Sequence, residues 1–158
     1  MKNLRILSVL LFLPIAAHAD KLRLPADAPP AFQAECASCH LAFPPQLLVA
    51  DDWKRVMATL DKHYGDNASL DEMTRRAIEG FLVKHAGRTA KVGAGETAPP
   101  RLTQTAWFAR KHREVSRTDW THVQVKSPAN CAACHARAAA GSYREREIVM
   151  PAGRRWEE

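Results

Sequence analysis

The chain has 158 residues, too few for a large multidomain enzyme and enough for one domain or two very small ones. Its 46% hydrophobic and 25% charged residues make an ordinary globular mix, which excludes disorder as a description of the whole. The 23 Lys and Arg against 17 Asp and Glu, a formal +6, would admit a nucleic-acid or anionic-membrane partner, but all four cysteines sit in two copies of one pattern that points elsewhere.

In chain order, Lys2 and Arg5 precede an apolar run from Ile6 to Ile15, and Ala17-His18-Ala19 is a small-x-small cleavage site. The run is shorter than the roughly 20 apolar residues of a membrane span. Residues 1–19 therefore read as a cleavable secretory signal peptide, and the mature chain, 20–158, as a periplasmic protein not integral to the membrane. Residues 20–30 are proline-rich and predicted irregular. A helix is predicted over 31–41, ended by Phe43-Pro44-Pro45. Asp51 is a plausible N-cap for a helix over 52–64, whose apolar face is Trp53, Val56, Met57, Leu60 and Tyr64, with Gly65 as its stop. Ser69 and Glu72 form a capping-box pattern for a helix to about His85, with Leu70, Met73, Ala77, Ile78, Phe81 and Leu82 on one side. Residues 88–100 are small and polar and read as a linker. A short helix is predicted over 105–113, and Ser127-Pro128 opens a helix over 128–140 that Gly141 closes. The tail from Ser142 is charged and irregular, with Ile148-Val149-Met150 as its apolar cluster. No strand alternation appears, so the predicted class is all-α.

Cys36-Ala37-Ser38-Cys39-His40 and Cys131-Ala132-Ala133-Cys134-His135 are both C-x-x-C-H. Two disulfides, a four-cysteine zinc site or a thioredoxin-like motif would account for the cysteines, but the first two leave both histidines idle and the third lacks a βαβ context. The pattern matches c-type haem attachment: two thiols add across the two vinyl groups of one haem, and the adjoining histidine is carried under the iron. Two copies imply two covalently attached haem c groups, with Cys36, Cys39, Cys131 and Cys134 as thioethers and His40 and His135 as proximal ligands. The expected organisation is two small cytochrome c-like haem lobes, 20–86 and 101–158, joined by a short linker, 87–100. Lobes of this size rarely bury enough on their own, so the porphyrins are expected to form much of the core and the apo-protein not to fold.

A six-coordinate haem needs a second axial ligand, normally His or Met. In the first lobe His63, at i+3 from Leu60 and i+7 from Val56, edges the apolar face of its helix and ranks ahead of His85, which lies in the last turn of its own. Met57 and Met73 read as core. In the second lobe His112, at i+4 from Phe108 and close to Trp107, ranks first, Met150 beside Pro151 second and His122 third.

Four stretches, ECASCHLAFPPQLL (35–48), Trp53 to Asp71, Thr103 to Val115 and SPANCAACHARAAAGSYRE (127–145), resemble the bacterial dihaem cytochrome c family over nearly the whole mature chain. The resemblance implies bis-histidine ligation at both irons with low reduction potentials, and lays the distal ligands on His63 and His112. It also implies electron exchange with a high-spin monohaem c-type cytochrome and a membrane b-type cytochrome. His85 and His122 fall outside its pattern.

Two six-coordinate irons leave no open position for a substrate, and the chain shows no candidate triad or phosphate loop. The expected function is that of a periplasmic electron carrier, not an enzyme. The alternative is a haem enzyme or gas-binding sensor with one open iron. The charge sharpens the picture. Residues 20–86 carry a net −2 and residues 87–158 a net +6, a polarity between lobes that would steer the basic one toward an acidic redox partner or membrane surface.

Overall fold

A computed structural model describes residues 22–88 and 100–156. The signal-like residues 1–19 and most of the linker lie outside the described residues. Among these, the regular elements are all helical, as expected: α1 (Pro30–Cys36), α2 (Ala50–Ala58), α3 (Glu72–Lys84), α4 (Ala106–Lys111) and α5 (Arg117–Trp120), separated by short 3-10 turns. No helix among the described residues is long and apolar enough to cross a membrane.

α1 starts at consecutive prolines, whose fixed φ suits a first helical turn. It ends at Cys36 and not at Leu41, because the Ser38 hydroxyl donates to the Glu35 carbonyl at 2.8 Å, a local bond that competes with a further helical turn. α2 begins at Ala50 behind Val49, so Asp51 and Asp52 occupy its first turn, where negative charge favours the helix dipole, and Asp51 is not the cap. It stops at Ala58, short of Tyr64. The Thr59 hydroxyl bonds back to the Arg55 carbonyl at 2.9 Å, and the chain passes through a 3-10 turn at Leu60–Lys62 into Tyr64 and Gly65, both at positive φ. α3 is capped by Asp71, which accepts from the Thr74 N–H at 3.0 Å. Ser69 is not the cap; its own N–H donates to Asn67 Oδ1 at 2.9 Å.

Trp53, Val56 and Met57 of α2 pack with Ile78, Phe81 and Leu82 of α3, and Phe32 of α1 lies 5.0 Å from Phe81, ring to ring. Met73, expected in this core, is 81% exposed. At 3.6 residues per turn it stands about 140° round the helix from Ile78. The Trp53 indole N–H donates to the Pro45 carbonyl at 2.7 Å, and after α3 the Gly87 N–H returns to the Leu48 carbonyl at 2.9 Å, closing the first lobe. The end of the linker and a residue just beyond it fasten onto this lobe: Leu102 joins the same core, and the Tyr64 hydroxyl donates to the Pro100 carbonyl.

The second half is built differently. α4 follows Thr105, whose buried hydroxyl accepts from the Phe108 N–H and donates to the Leu102 carbonyl. α5, absent from the sequence expectation, is capped by Ser116, whose hydroxyl accepts from the Asp119 N–H and donates to the Asp119 carboxylate. The helix predicted over 128–140 does not form; two 3-10 turns, Cys131–Ala133 and Ala138–Ala140, take its place. Polar side chains capture the backbone first. The Ala129 N–H donates to the Ser127 hydroxyl, and the Asn130 amide donates to the carbonyls of Gln124 and Val125. Of Ala138, Ala139 and Ala140 only Ala138 is buried, so no apolar stripe supplies the packing that stabilises most protein helices. Gly141 nevertheless ends the second turn at φ +70°, in the left-handed region. The tail folds back over the motif through a bond from the Val149 N–H to the Cys134 carbonyl at 2.9 Å, which buries Met150.

Candidate functional site

The turn after α1 delivers Cys36, Cys39 and His40 together. His40 Nδ1 donates to the Leu41 carbonyl at 2.8 Å; because a carbonyl can only accept, this fixes the tautomer and leaves Nε2 with its lone pair, the state a metal ligand requires. Its ring stacks on Phe43 at 4.7 Å. His63 closes the 3-10 turn after α2, and its ring meets the edge of Tyr64 at 4.8 Å. Tyr64 is itself clamped by the Pro100 carbonyl and by the Arg101 guanidinium, 4.3 Å above its ring. The rings of His40 and His63 are 6.2 Å apart, with planes inclined by 18°.

The second half builds a counterpart. His112 caps α4, donates from Nδ1 to the Phe108 carbonyl at 2.9 Å and stacks on the Phe108 ring at 4.0 Å. Trp120 of α5 lies 5.7 Å from it. His135 follows the Cys131–Ala133 turn and packs 5.2 Å from Tyr143. The rings of His112 and His135 are again 6.2 Å apart, now with planes at 88°. A cleft of about 440 Å³ runs beside His112, lined by Phe108, Trp120, Val115 and Arg113 among others.

Each spacing leaves room for one ion between the rings: with metal–nitrogen bonds of about 2.0–2.1 Å and ring centres about 1.1 Å behind their nitrogens, two imidazoles that shared an ion would have centroids about 6.2–6.4 Å apart. Burial also disfavours the charged form of three of these rings. His135 is pushed down to about 4, mainly by desolvation and further by His112, and desolvation likewise lowers His63 and His112. Cys36 and Cys131 are pushed up to about 11 by burial, as structural thiols are. No disulfide joins any two of the four cysteines, so neither C-x-x-C is bridged. Among the described residues no three His, Cys, Asp or Glu side chains converge as a metal-binding group. The donor sets present, two thiols and a facing histidine pair in each half, fit a covalently attached haem.

The model of the dihaem cytochrome c family matches residues 32–143. The chain belongs to this dihaem cytochrome c family. It carries two covalently bound haem c groups and is an electron-transfer haem protein. The X-ray structure of a dihaem cytochrome c from Shewanella baltica OS155 is similar at 38% identity and a TM-score of 0.72, covering 81% of this chain and 97% of that one. The crystal structure of its Rhodobacter sphaeroides counterpart is similar at 39% identity and a TM-score of 0.64, over 76% of this chain and 99% of that one. No curated protein matches the chain.

Among the other histidines and methionines weighed for this dihaem cytochrome, His85 is committed elsewhere. Its Nε2 pairs with Asp27 at 2.8 Å, and Lys84 and His85 together hold the Asp27 carboxyl down to about 2. His122 Nδ1 accepts from the Gln124 N–H at 3.2 Å within its own turn. Met150 is buried under the tail, its N–H donating to the Arg154 carbonyl at 2.7 Å. Phe43 and Tyr143, which pack on His40 and His135, were not read from the sequence as site residues. An aromatic residue within about eight positions of a C-x-x-C-H motif was the available signal for both.

Proposed function

We propose that each iron is held between two histidines, His40 with His63 and His135 with His112, with Cys36 and Cys39 attaching the first haem and Cys131 and Cys134 the second. The reading rests above all on the two histidine pairs at the same 6.2 Å spacing. The haems, when bound, supply the one-electron ferric–ferrous couple. The chain's own residues do the rest. Leu41 and Phe108 carbonyls orient the histidine rings, Phe43, Phe108, Trp120 and Tyr143 wall the sites, and two imidazoles holding each iron would leave it no position for substrate. An electron carrier follows, exported to the periplasm by residues 1–19 and passing electrons between a high-spin monohaem c-type cytochrome and a membrane b-type cytochrome.

Carbon monoxide tests the ligation. Added to the reduced wild-type protein, it is expected to leave the Soret band unmoved, whereas in His63→Ala and in His112→Ala half of the haem shifts. A shift of half the haem in the wild type would instead establish an open iron and the enzyme or sensor alternative. The partner reading is carried by the +6 of residues 87–158, with Arg110 exposed on α4 and Arg113 on the rim of the cleft beside His112. Electron exchange with an acidic monohaem c-type cytochrome, followed by stopped flow, is expected to slow as salt rises, and Arg110→Glu to slow it by roughly several-fold at low ionic strength. A rate indifferent to both would remove this surface from the docking site.

A further inference from the structure

The two histidine pairs share a spacing but not an orientation. The planes of His40 and His63 are 18° apart, and those of His112 and His135 are 88° apart. Each ring is set by neighbours that do not depend on a metal. His40 is held by the Leu41 carbonyl and lies within 24° of the plane of Phe43, while His63 meets Tyr64 at 61°. His112 is held twice by one residue, its Nδ1 on the Phe108 carbonyl and its ring within 24° of the Phe108 ring, with Trp120 at 52°. His135 leans on Tyr143 at 57°, and the Tyr143 hydroxyl is buried without a hydrogen-bond partner, so this side chain is placed by packing.

We propose that these walls, given the bis-histidine ligation argued above, impose near-parallel ligand planes on the first iron and crossed planes on the second, so that the two ferric centres are electronically unlike. Phe108 and Tyr143 are the positioning residues of the crossed pair. The physical reason lies in π donation. An imidazole donates from the orbital perpendicular to its ring into one of the two iron d orbitals that point between the axial direction and the porphyrin plane. Parallel rings both donate into the same d orbital and separate the pair in energy. Crossed rings donate one into each, leaving the pair nearly degenerate. A separated pair gives a low-spin ferric signal with three resolved g-values; a near-degenerate pair gives one broad, asymmetric feature at distinctly lower field. Ligand identity, hydrogen bonding and burial are the levers usually held to tune a haem, and ring orientation here adds one that acts with all four ligands the same.

Low-temperature EPR of the oxidised holoprotein tests this. The expected spectrum holds two low-spin signals of equal spin count, one rhombic and one of the low-field type. His63→Met should alter only the rhombic signal and His112→Met only the low-field one. Tyr143→Leu, which leaves all four ligands in place, should move the low-field feature toward a rhombic pattern without changing the haem count. Should a variant fail to fold, the wild-type spectrum decides alone. Two rhombic signals, or a low-field signal that responds to His63→Met, would overturn the proposal while leaving bis-histidine ligation standing. A high-spin signal, or the near-infrared band of a methionine–iron bond, in the wild type would overturn the ligation itself.

Discussion

A chain carrying Cys131→Ala together with Cys134→Ala is expected to keep one haem and its first three helices, and to lose the fold of residues 103–156. The two halves are unequally built. The first has a core of its own, in which Phe32, Leu47, Leu48, Trp53, Val56, Met57, Ile78, Phe81 and Leu82 are all buried against one another. Past Leu102, which belongs to that same core, the buried hydrophobic side chains among the described residues are Val125, Ala138, Met150 and Pro151. Three of its aromatics, Phe108, Trp120 and Tyr143, are only half-buried and lie around His112 and His135, while Trp107 packs against the first core. A segment of that length with so little apolar contact cannot offset the ordering of its backbone, about 1–2 kcal/mol per residue, without the porphyrin. α4 and α5 are six and four residues long, well under the roughly 12–15 at which an isolated helix becomes even marginal in water. A pyridine haemochrome assay should show half the wild-type haem, and limited proteolysis should clear residues 103–156 while sparing a fragment that spans α1 to α3. Survival of the second half against protease with a single haem bound would refute this account.

Gly141→Ala is expected to destabilise the protein by about 2–5 kcal/mol, lowering Tm by on the order of 10 °C. Two costs combine. Gly141 sits at φ +70°, where a Cβ is strained, and a Cβ built there would lie 2.8 Å from Arg23 Cα and 3.0 Å from the Leu22 carbonyl oxygen. Both neighbours are backbone, which has no rotamer to give. The Leu22–Arg23 segment is also held from the other side, where the Gln46 amide donates to the Arg23 carbonyl at 3.2 Å. It therefore runs as a strap between the turn ahead of α2 and the loop after the second haem motif. A methyl at position 141 must push the strap away or open the loop that carries His135. Gly153→Ala is the control. Gly153 is at φ +78° with nothing within 4 Å of a built Cβ, so only the conformational strain, about 1–3 kcal/mol, applies. Equal melting temperatures for the two variants would show that the close approach at Gly141 carries no energy.

Which elements could be read from the sequence follows from where their information is stored. The apolar stripes of α2 and α3 were legible, because a period of 3.6 survives in the residues themselves. Their ends were not. α1, α2 and the helix expected over 128–140 were each cut short or abolished by a side chain reaching back to nearby backbone: Ser38, Thr59, Ser127 and Asn130. Helix propensity alone, strong in the alanines around the second motif, does not register such competition. Met73 fell out of the core because the cap sits at Asp71 and the buried stripe runs through Ile78, Phe81 and Leu82. The cap of α5, Ser116 with Asp119, was present in the sequence and unread, because a helix of one turn has no periodicity to flag it.

What the sequence determined by itself is the attachment of two haems. That chemistry is local: five contiguous residues space two thiols to two vinyl groups and put a histidine beside the second, and nothing distant can alter it. Composition likewise determined that the basic charge is concentrated after residue 86. Which histidine faces each of those carried by the motifs is a different kind of fact. The sequence ranked His63 ahead of His85 by its place beside an apolar face, but it is packing that puts His63 beside His40 and His85 against Asp27. The angle between paired rings is further still from the sequence. It depends on where Phe43, Tyr64, Phe108 and Tyr143 come to rest against them, and those positions exist only once elements remote in the chain have packed together.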